Sequence, residues 1–239
     1  MFSFLKRRPV DNTMPLTSDI HSHFLAGLDD GVKSLEEAEE TIRIFERLGY
    51  RKLITTPHIM SDYYRNGPET ILPALRELQQ FLKDKTDIVL EAAAEYYLDD
   101  YAMKMLENQE AFMTFGKKYL LFETNFISEP LQLKEFIFRA TSAGYLPVLA
   151  HPERYQYMTM AKAEDLRDRG VLFQINSLST IGFYSVPVQR MAGKLIDQKW
   201  VDFLGSDCHS HMQGSLLPQL GANKHYRKAL ALPLLNHSL

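Results

Sequence analysis

Five of the eight histidines in this chain fall just past short apolar runs, and carboxylates share those positions: His21-Ser22-His23, His58, Glu95, Glu123, His151 and Asp207-Cys208-His209. Imidazole together with carboxylate is the donor set of Mn, Fe and Zn, whereas magnesium and calcium are met mostly by oxygen. Alternate residues on an extended segment point the same way, so His21 with His23, and Asp207 with His209, could each chelate one ion. Taken singly, a histidine after a strand is more often a loop or capping residue than a ligand. Several such positions recurring along one chain, however, are hard to obtain by chance. Asp30, in Leu28-Asp29-Asp30-Gly31, could reach the same place from the first loop, although Asp-Asp-Gly is also a plain turn signal. Cys208 does not supply a thiol nucleophile of the Cys-x5-Arg kind, because the sixth residue after it is Gly214. It reads as a small buried residue between two candidate ligands.

Seven apolar runs precede these polar residues, at 17–20, 52–55, 88–94, 119–122, 147–150, 171–175 and 201–204. Each is too short for a helix and lacks strict alternation, as strands buried on both faces should. Amphipathic segments alternate with them. Ser34-Leu35-Glu36-Glu37 has the form of a capping box, and Gly49 follows the apolar stripe Ala38, Ile42, Phe45. Further helices are expected over 68–83, 99–108, 130–143, 161–169 and 187–198. Alternating βα units predict an α/β fold with seven parallel strands closed as a TIM-like barrel. In such a barrel the C-terminal strand ends share one face, which would gather His21, His23, His58, Glu95, Glu123, His151, Asn176, Asp207 and His209.

The 239 residues suit one domain, 1–239, with a short N-terminal extension (1–16) and a C-terminal capping segment (210–239). A net charge of -3 gives no electrostatic reason to expect nucleic-acid binding. One cysteine allows no intramolecular disulfide and suits a reducing compartment, so a cytoplasmic location is expected. No run approaches the roughly 18 apolar residues of a membrane span, and direct membrane insertion is not expected.

In order from about residue 17 to 210, His21-Ser22-His23, Asp29-Asp30-Gly31, Thr56-Pro57-His58, Glu95-Tyr96-Tyr97, His151-Pro152-Glu153-Arg154-Tyr155 and Ser206-Asp207-Cys208-His209 resemble the motifs of the polymerase-and-histidinol-phosphatase (PHP) superfamily. Within it the chain is similar to the bacterial manganese-dependent tyrosine phosphatases of capsular and exopolysaccharide operons. The resemblance implies a distorted seven-stranded (β/α) barrel holding three divalent transition metals, manganese first, with iron or zinc as alternatives. His21, His23, Asp30, His58, Glu95, Glu123, His151, Asp207 and His209 would be the ligands. A hydroxide bridging the metals would attack the phosphorus in line, and Arg154 would meet the substrate phosphate. A phenolate leaving group needs no dedicated general acid, though His58 or His209 could assist when not metal-bound. The expected substrate is a phosphotyrosine-bearing protein, in particular the tail of a membrane-bound bacterial tyrosine kinase.

One departure from the family pattern is plain. The stretch 210–215 carries no arginine where relatives often have a second one, so phosphate contacts would fall to Arg154, the metals, Arg65 or His211. Tyr97 and Tyr155, with Tyr63, Tyr64, Tyr96 and Phe126, are candidates to line the substrate pocket, against ordinary core packing as the alternative. Two rival functions share the motifs: a small-molecule phosphatase such as one for histidinol phosphate, and a PHP-fold regulatory module without catalysis.

Overall fold

The computed structural model describes residues 15–239, so most of the expected N-terminal extension lies outside the described residues. Nine strands occur among these: β1 (Ser18–Asp19), β2 (Lys52–Thr55), β3 (His58–Ile59), β4 (Val89–Ala92), β5 (Glu95–Tyr97), β6 (Tyr119–Glu123), β7 (Leu146–Ala150), β8 (Leu172–Asn176) and β9 (Phe203–Gly205). The helices are α1 (Leu35–Arg47), α2 (Pro68–Phe81), α3 (Asp100–Glu107), α4 (Leu133–Ser142), α5 (Met160–Asp168), α6 (Val186–Asp197), α7 (His211–Gly214) and α8 (Lys224–Leu230).

All strand pairs are parallel, in a three-stranded sheet β1-β2-β4 and a six-stranded sheet β3-β5-β6-β7-β8-β9. The single seven-stranded ring expected from the apolar runs is thus resolved into two sheets. The division falls where the second and third expected strands each break, at Thr56-Pro57 between β2 and β3 and at Ala93-Ala94 between β4 and β5. Pro57 has no N–H to give to a ladder. Beyond these breaks the chain ends of the two sheets still approach: Ser22 and Cys208 form a parallel bridge, His23 N donates to Cys208 O at 3.0 Å, and Asp207 N donates to His21 O at 2.8 Å.

Side-chain alternation along the strands explains why the runs looked uniformly apolar. Ile54, Leu121, Val148, Ala150 and Phe203 join one buried cluster, while their neighbours Leu53, Leu120, Phe122, Leu149 and Leu204 join the other, larger one that contains the helix residues. Both faces of the six-stranded sheet are therefore largely buried, whereas Val89 and Glu91 leave β4, at the edge of the three-stranded sheet, exposed. Phe115, Tyr119, Leu235 and Leu239 belong to the smaller cluster, and Asn236 locks the C-terminal segment to the strands by donating to Ser18 O (3.1 Å) and Leu204 O (2.8 Å).

Local chemistry starts the helices that hold the loops in place. The Ser34 hydroxyl accepts from Glu37 N at 3.2 Å, Glu36 and Glu37 sit in the positive first turn of α1, and Gly49 takes the left-handed conformation (φ +95°) that ends it. Ala38, Ile42 and Phe45 are fully buried, with Phe45 edge-on to Phe24 at 5.4 Å. Among the described residues, no helix is long and apolar enough to cross a membrane.

Candidate metal centre

The strand ends and the loops that follow them bring all nine residues expected as ligands to one place. Glu95 is its middle. Its Oε2 lies 3.1 Å from His21 Nε2, 3.1 Å from His58 Nδ1 and 3.6 Å from His23 Nε2, and its Oε1 lies 3.2 Å from His151 Nε2. Asp207 Oδ1 stands 3.3 Å from His21 Nε2 and 3.5 Å from His23 Nε2. Glu123 Oε1 is 3.2 Å from His58 Nδ1, and Asp30 Oδ1 is 3.4 Å from both His58 Nε2 and His209 Nε2. Three overlapping groups have ligand atoms close enough to share an ion: His21, His23 and Glu95; His58, Glu95 and Glu123; His23, Asp30, His58 and His209.

Three of the histidines are aimed by a partner on the outer nitrogen. Nδ1 of His21 pairs with Gln174 Oε1 at 2.9 Å, Nδ1 of His23 with Asp29 Oδ2 at 2.7 Å, and Nδ1 of His209 with the Asp207 carbonyl at 3.0 Å, which leaves each Nε2 facing inward. This is the outer hydrogen bonding that orients metal-binding imidazoles. The Asp207 carboxylate is divided in the same manner. Its Oδ2 accepts from Arg154 Nη1 (2.8 Å), Asn176 Nδ2 (2.6 Å) and Tyr184 Oη (3.2 Å), so Oδ1 is turned to the histidines. His151 (φ +35°) and Asp207 (φ +50°) both hold the left-handed backbone conformation, which side chains other than glycine seldom adopt. At His151 the surroundings enforce it: its N–H donates to Gln174 Oε1 and its carbonyl accepts from Arg154 N.

The inward-facing atoms lack partners. His21 Nε2, His23 Nε2, His58 Nδ1 and Glu95 Oε2 are buried without a hydrogen bond, an arrangement that costs free energy unless something else satisfies them. Charge follows the same geometry. Burial alone would lift the Glu95 carboxyl, yet His21 and His58 beside it hold it well below the usual range. Burial likewise opposes charge on His21, but Glu95 and Asp207 outweigh it and push its pKa up to about 10. His209 and His58 draw the half-exposed Asp30 carboxylate well below its ordinary value. Imidazole nitrogen with carboxylate oxygen, unpaired and convergent, fits a borderline transition-metal ion.

The expected substrate contacts divide. Arg154 sits at the rim, about a quarter exposed, with its guanidinium between the rings of Tyr184 (4.3 Å) and Phe126 (4.7 Å). Tyr97 is half-buried on β5, register-paired with Glu123 of β6. Tyr155 is almost fully buried, at 3 % exposed; its hydroxyl donates to Ala150 O and accepts from Thr124 N, and its ring packs near Phe126 and His151. Tyr96 is buried too, with its hydroxyl accepting from Met113 N, whereas Tyr63 is exposed and Tyr64 stacks on His58 at 5.6 Å. Arg65 lines a cavity of about 420 Å³ with Tyr64, Asp62, Glu69 and Tyr101, and its Nε donates to Ser61 O; no contact ties it to the histidines. His211 is exposed at the start of α7.

Asp29, Gln174 and Tyr184 were not among the candidates. Asp29 carried a signal, being the other half of the Asp-Asp pair. Its Oδ2 also accepts from His58 N at 3.0 Å, and although burial pushes its carboxyl up, His23 brings it down to about 2. Gln174 and Tyr184 stand in no motif.

Comparison with known proteins gives one family. The model for capsular polysaccharide synthesis, CpsB/CapC, matches residues 17–229. Tyrosine-protein phosphatase CpsB of Streptococcus pneumoniae is 28% identical over 200 residues, covering 80% of this chain and 82% of the relative. Tyrosine-protein phosphatase YwqE of Bacillus subtilis is 27% identical over 195 residues, covering 80% and 77%. A crystal structure from work on YwqE and CpsB, described as metal-dependent tyrosine phosphatases, superimposes with a TM-score of 0.77 at 26% identity, covering 90% of this chain and 85% of that one.

Proposed function

The chain belongs to the capsular polysaccharide synthesis family CpsB/CapC, and on that premise we propose that it is a metal-dependent phosphatase that hydrolyses phosphotyrosine on proteins. The observation that carries this reading is the set of buried, unpaired Nε2, Nδ1 and Oε2 atoms converging on Glu95, with an arginine at their rim. His21, His23, Asp30, His58, Glu95, Glu123, His151, Asp207 and His209 are the proposed ligands, and the three overlapping groups support a count of three ions. Manganese is the metal proposed first. The seven-stranded barrel is proposed in the same way, with β2–β3 and β4–β5 as broken single strands and the Ser22–Cys208 bridge as the closing contact.

Divalent ions held here would lower the pKa of a bound water and withdraw charge from the phosphoryl oxygens. The protein's part is to aim and to exclude. Gln174, Asp29 and the Asp207 carbonyl fix three imidazoles, so little reorganisation accompanies binding. Arg154 spends one donor on Asp207, and the rest of its planar fork is held edgewise by Phe126 and Tyr184 for phosphate oxygens. A departing phenolate, with a phenol pKa of about 10, needs little protonation, and His58 or His209 would assist it only when not metal-bound.

A phosphorylated tail of a membrane-bound tyrosine kinase is the proposed partner, supported by the family's place in capsule synthesis. The test sets manganese-loaded protein against a phosphotyrosyl peptide and histidinol phosphate. A higher kcat/KM on the peptide is expected, and faster turnover of histidinol phosphate would overturn the substrate assignment.

A further inference from the structure

Beside the metal centre, two cavities of about 580 and 510 Å³ share Arg190 and Lys194 of α6 as a common wall. The first opens at Arg154 and is floored by Met158, Pro187, Val188 and Met191; the second runs on to Lys224 and His225 at α8. Gly193 lets α6 and α8 approach closely beside the second cavity, since a Cβ there would come 3.3 Å from the His225 ring. The two lie on either side of Arg190 and Lys194 and make a grooved face that begins at Arg154.

Its charge is opposite to that of the whole molecule. The chain carries a net charge of -3, yet Arg190, Lys194 and Lys224 are exposed along this groove and, among the described residues, form no ion pair. Of the two carboxylates lining these cavities, Asp197 is bonded to Lys228 at 2.6 Å, and Glu153 is buried and accepts from Ser179 Oγ and Asn176 N. Arg190 and Lys194 are one helical turn apart, a rise of about 6 Å. That is close to the roughly 6.6 Å between alternate side chains of an extended peptide. The apolar floor would meet the stems and backbone of such a peptide.

We infer that this groove binds an acidic stretch of the substrate polypeptide beside its phosphotyrosine, with Arg190 and Lys194 selecting for aspartate and glutamate at alternate positions. The inference rests on the phosphotyrosine reading above. Peptides with one phosphotyrosine and neutral, N-terminal acidic or C-terminal acidic flanks, and one with a second phosphotyrosine in place of the acids, are compared on wild type and on R190E/K194E, with free phosphotyrosine as a substrate too small to reach the groove. Wild type should prefer one acidic peptide about five- to tenfold in kcat/KM at low salt, mainly through KM. The preference should vanish in R190E/K194E, and in R190Q/K194Q should the reversal fail to fold, while free phosphotyrosine turns over unchanged. Equal use of neutral and acidic peptides by wild type, a preference that survives in the variants, or a preference confined to the doubly phosphorylated peptide would overturn it. Were no phosphotyrosyl substrate turned over at all, the functional reading would fail separately. The groove would then be judged by fluorescence anisotropy of a labelled acidic peptide, whose binding must weaken in the same variants.

Discussion

Asn in place of Asp29 removes a negative charge from behind the metal centre while changing almost nothing in shape. Asp29 is buried, with Oδ2 accepting from His23 Nδ1 at 2.7 Å and His58 N at 3.0 Å, and Oδ1 accepting from Gly31 N at 2.9 Å. One carboxylate therefore sets the tautomer of His23, the start of β3 and the turn that delivers Asp30. An asparagine can keep one of the two oxygen positions and must place an NH₂ at the other, facing either a backbone N–H or the His23 ring. Loss of an outer partner of this kind usually weakens metal binding 10- to 100-fold, or about 1.4–2.7 kcal/mol. The assay is equilibrium competition against a chelator of known affinity, followed by kcat/KM at limiting and saturating manganese. The expected result is a weaker metal affinity in that range, with most activity regained at saturation. An affinity within twofold of wild type would refute the idea that Asp29 aims His23.

Three other perturbations have defined outcomes. Arg154→Lys keeps the charge but loses the fork and its stacking between Phe126 and Tyr184, so kcat/KM on a phosphotyrosyl peptide should fall roughly 10- to 100-fold; steady-state kinetics unchanged from wild type would contradict its phosphate role. Cys208→Ala should retain turnover and metal content, because the thiol is buried and burial pushes its pKa well up; loss of activity with metal still bound would reopen thiol chemistry. Glu153 is fully buried, and burial raises its carboxyl to about 7 despite hydrogen bonds from Ser179 and Asn176. A raised carboxyl keeps its proton longer in the folded state than in the unfolded one, so its contribution is full below about pH 4.5 and is lost as pH rises toward 7. Glu153→Gln should thus gain on wild type by a margin on the order of 3 kcal/mol above pH 7. Urea denaturation at several pH values checks this, and a constant difference across them would contradict it.

The location of the histidine and carboxylate cluster was legible because strand ends of parallel βα units share a face, and that rule needs only the order of apolar runs and polar residues. His151 and Glu95, 56 positions apart, meet for this reason. What distinguishes Asp29 from Asp30 is not local: the two differ only in whether the chain's turn points them behind His23 or in front of His58. Gln174 lies in mid-strand, where a polar side chain reads as a packing anomaly until His21 is seen on it. The motif places Tyr155 beside Arg154 without saying that its hydroxyl is tied to Ala150 O and Thr124 N, contacts that only the folded chain specifies. The breaks at Thr56-Pro57 and Ala93-Ala94 were hidden for a similar cause, since an apolar run tells of burial but not of the ladder's continuity.

The central claim is that the unpaired atoms around Glu95 exist to hold metal ions used in phosphate-ester hydrolysis. Elemental analysis of the purified chain, made together with turnover of a phosphotyrosyl peptide before and after chelation, tests it most directly. About three transition-metal ions per chain are expected from the three ligand groups, with turnover lost on chelation, restored by manganese, and absent with the metal in His21→Ala/His23→Ala. Full turnover in a chain freed of transition metal would contradict the account.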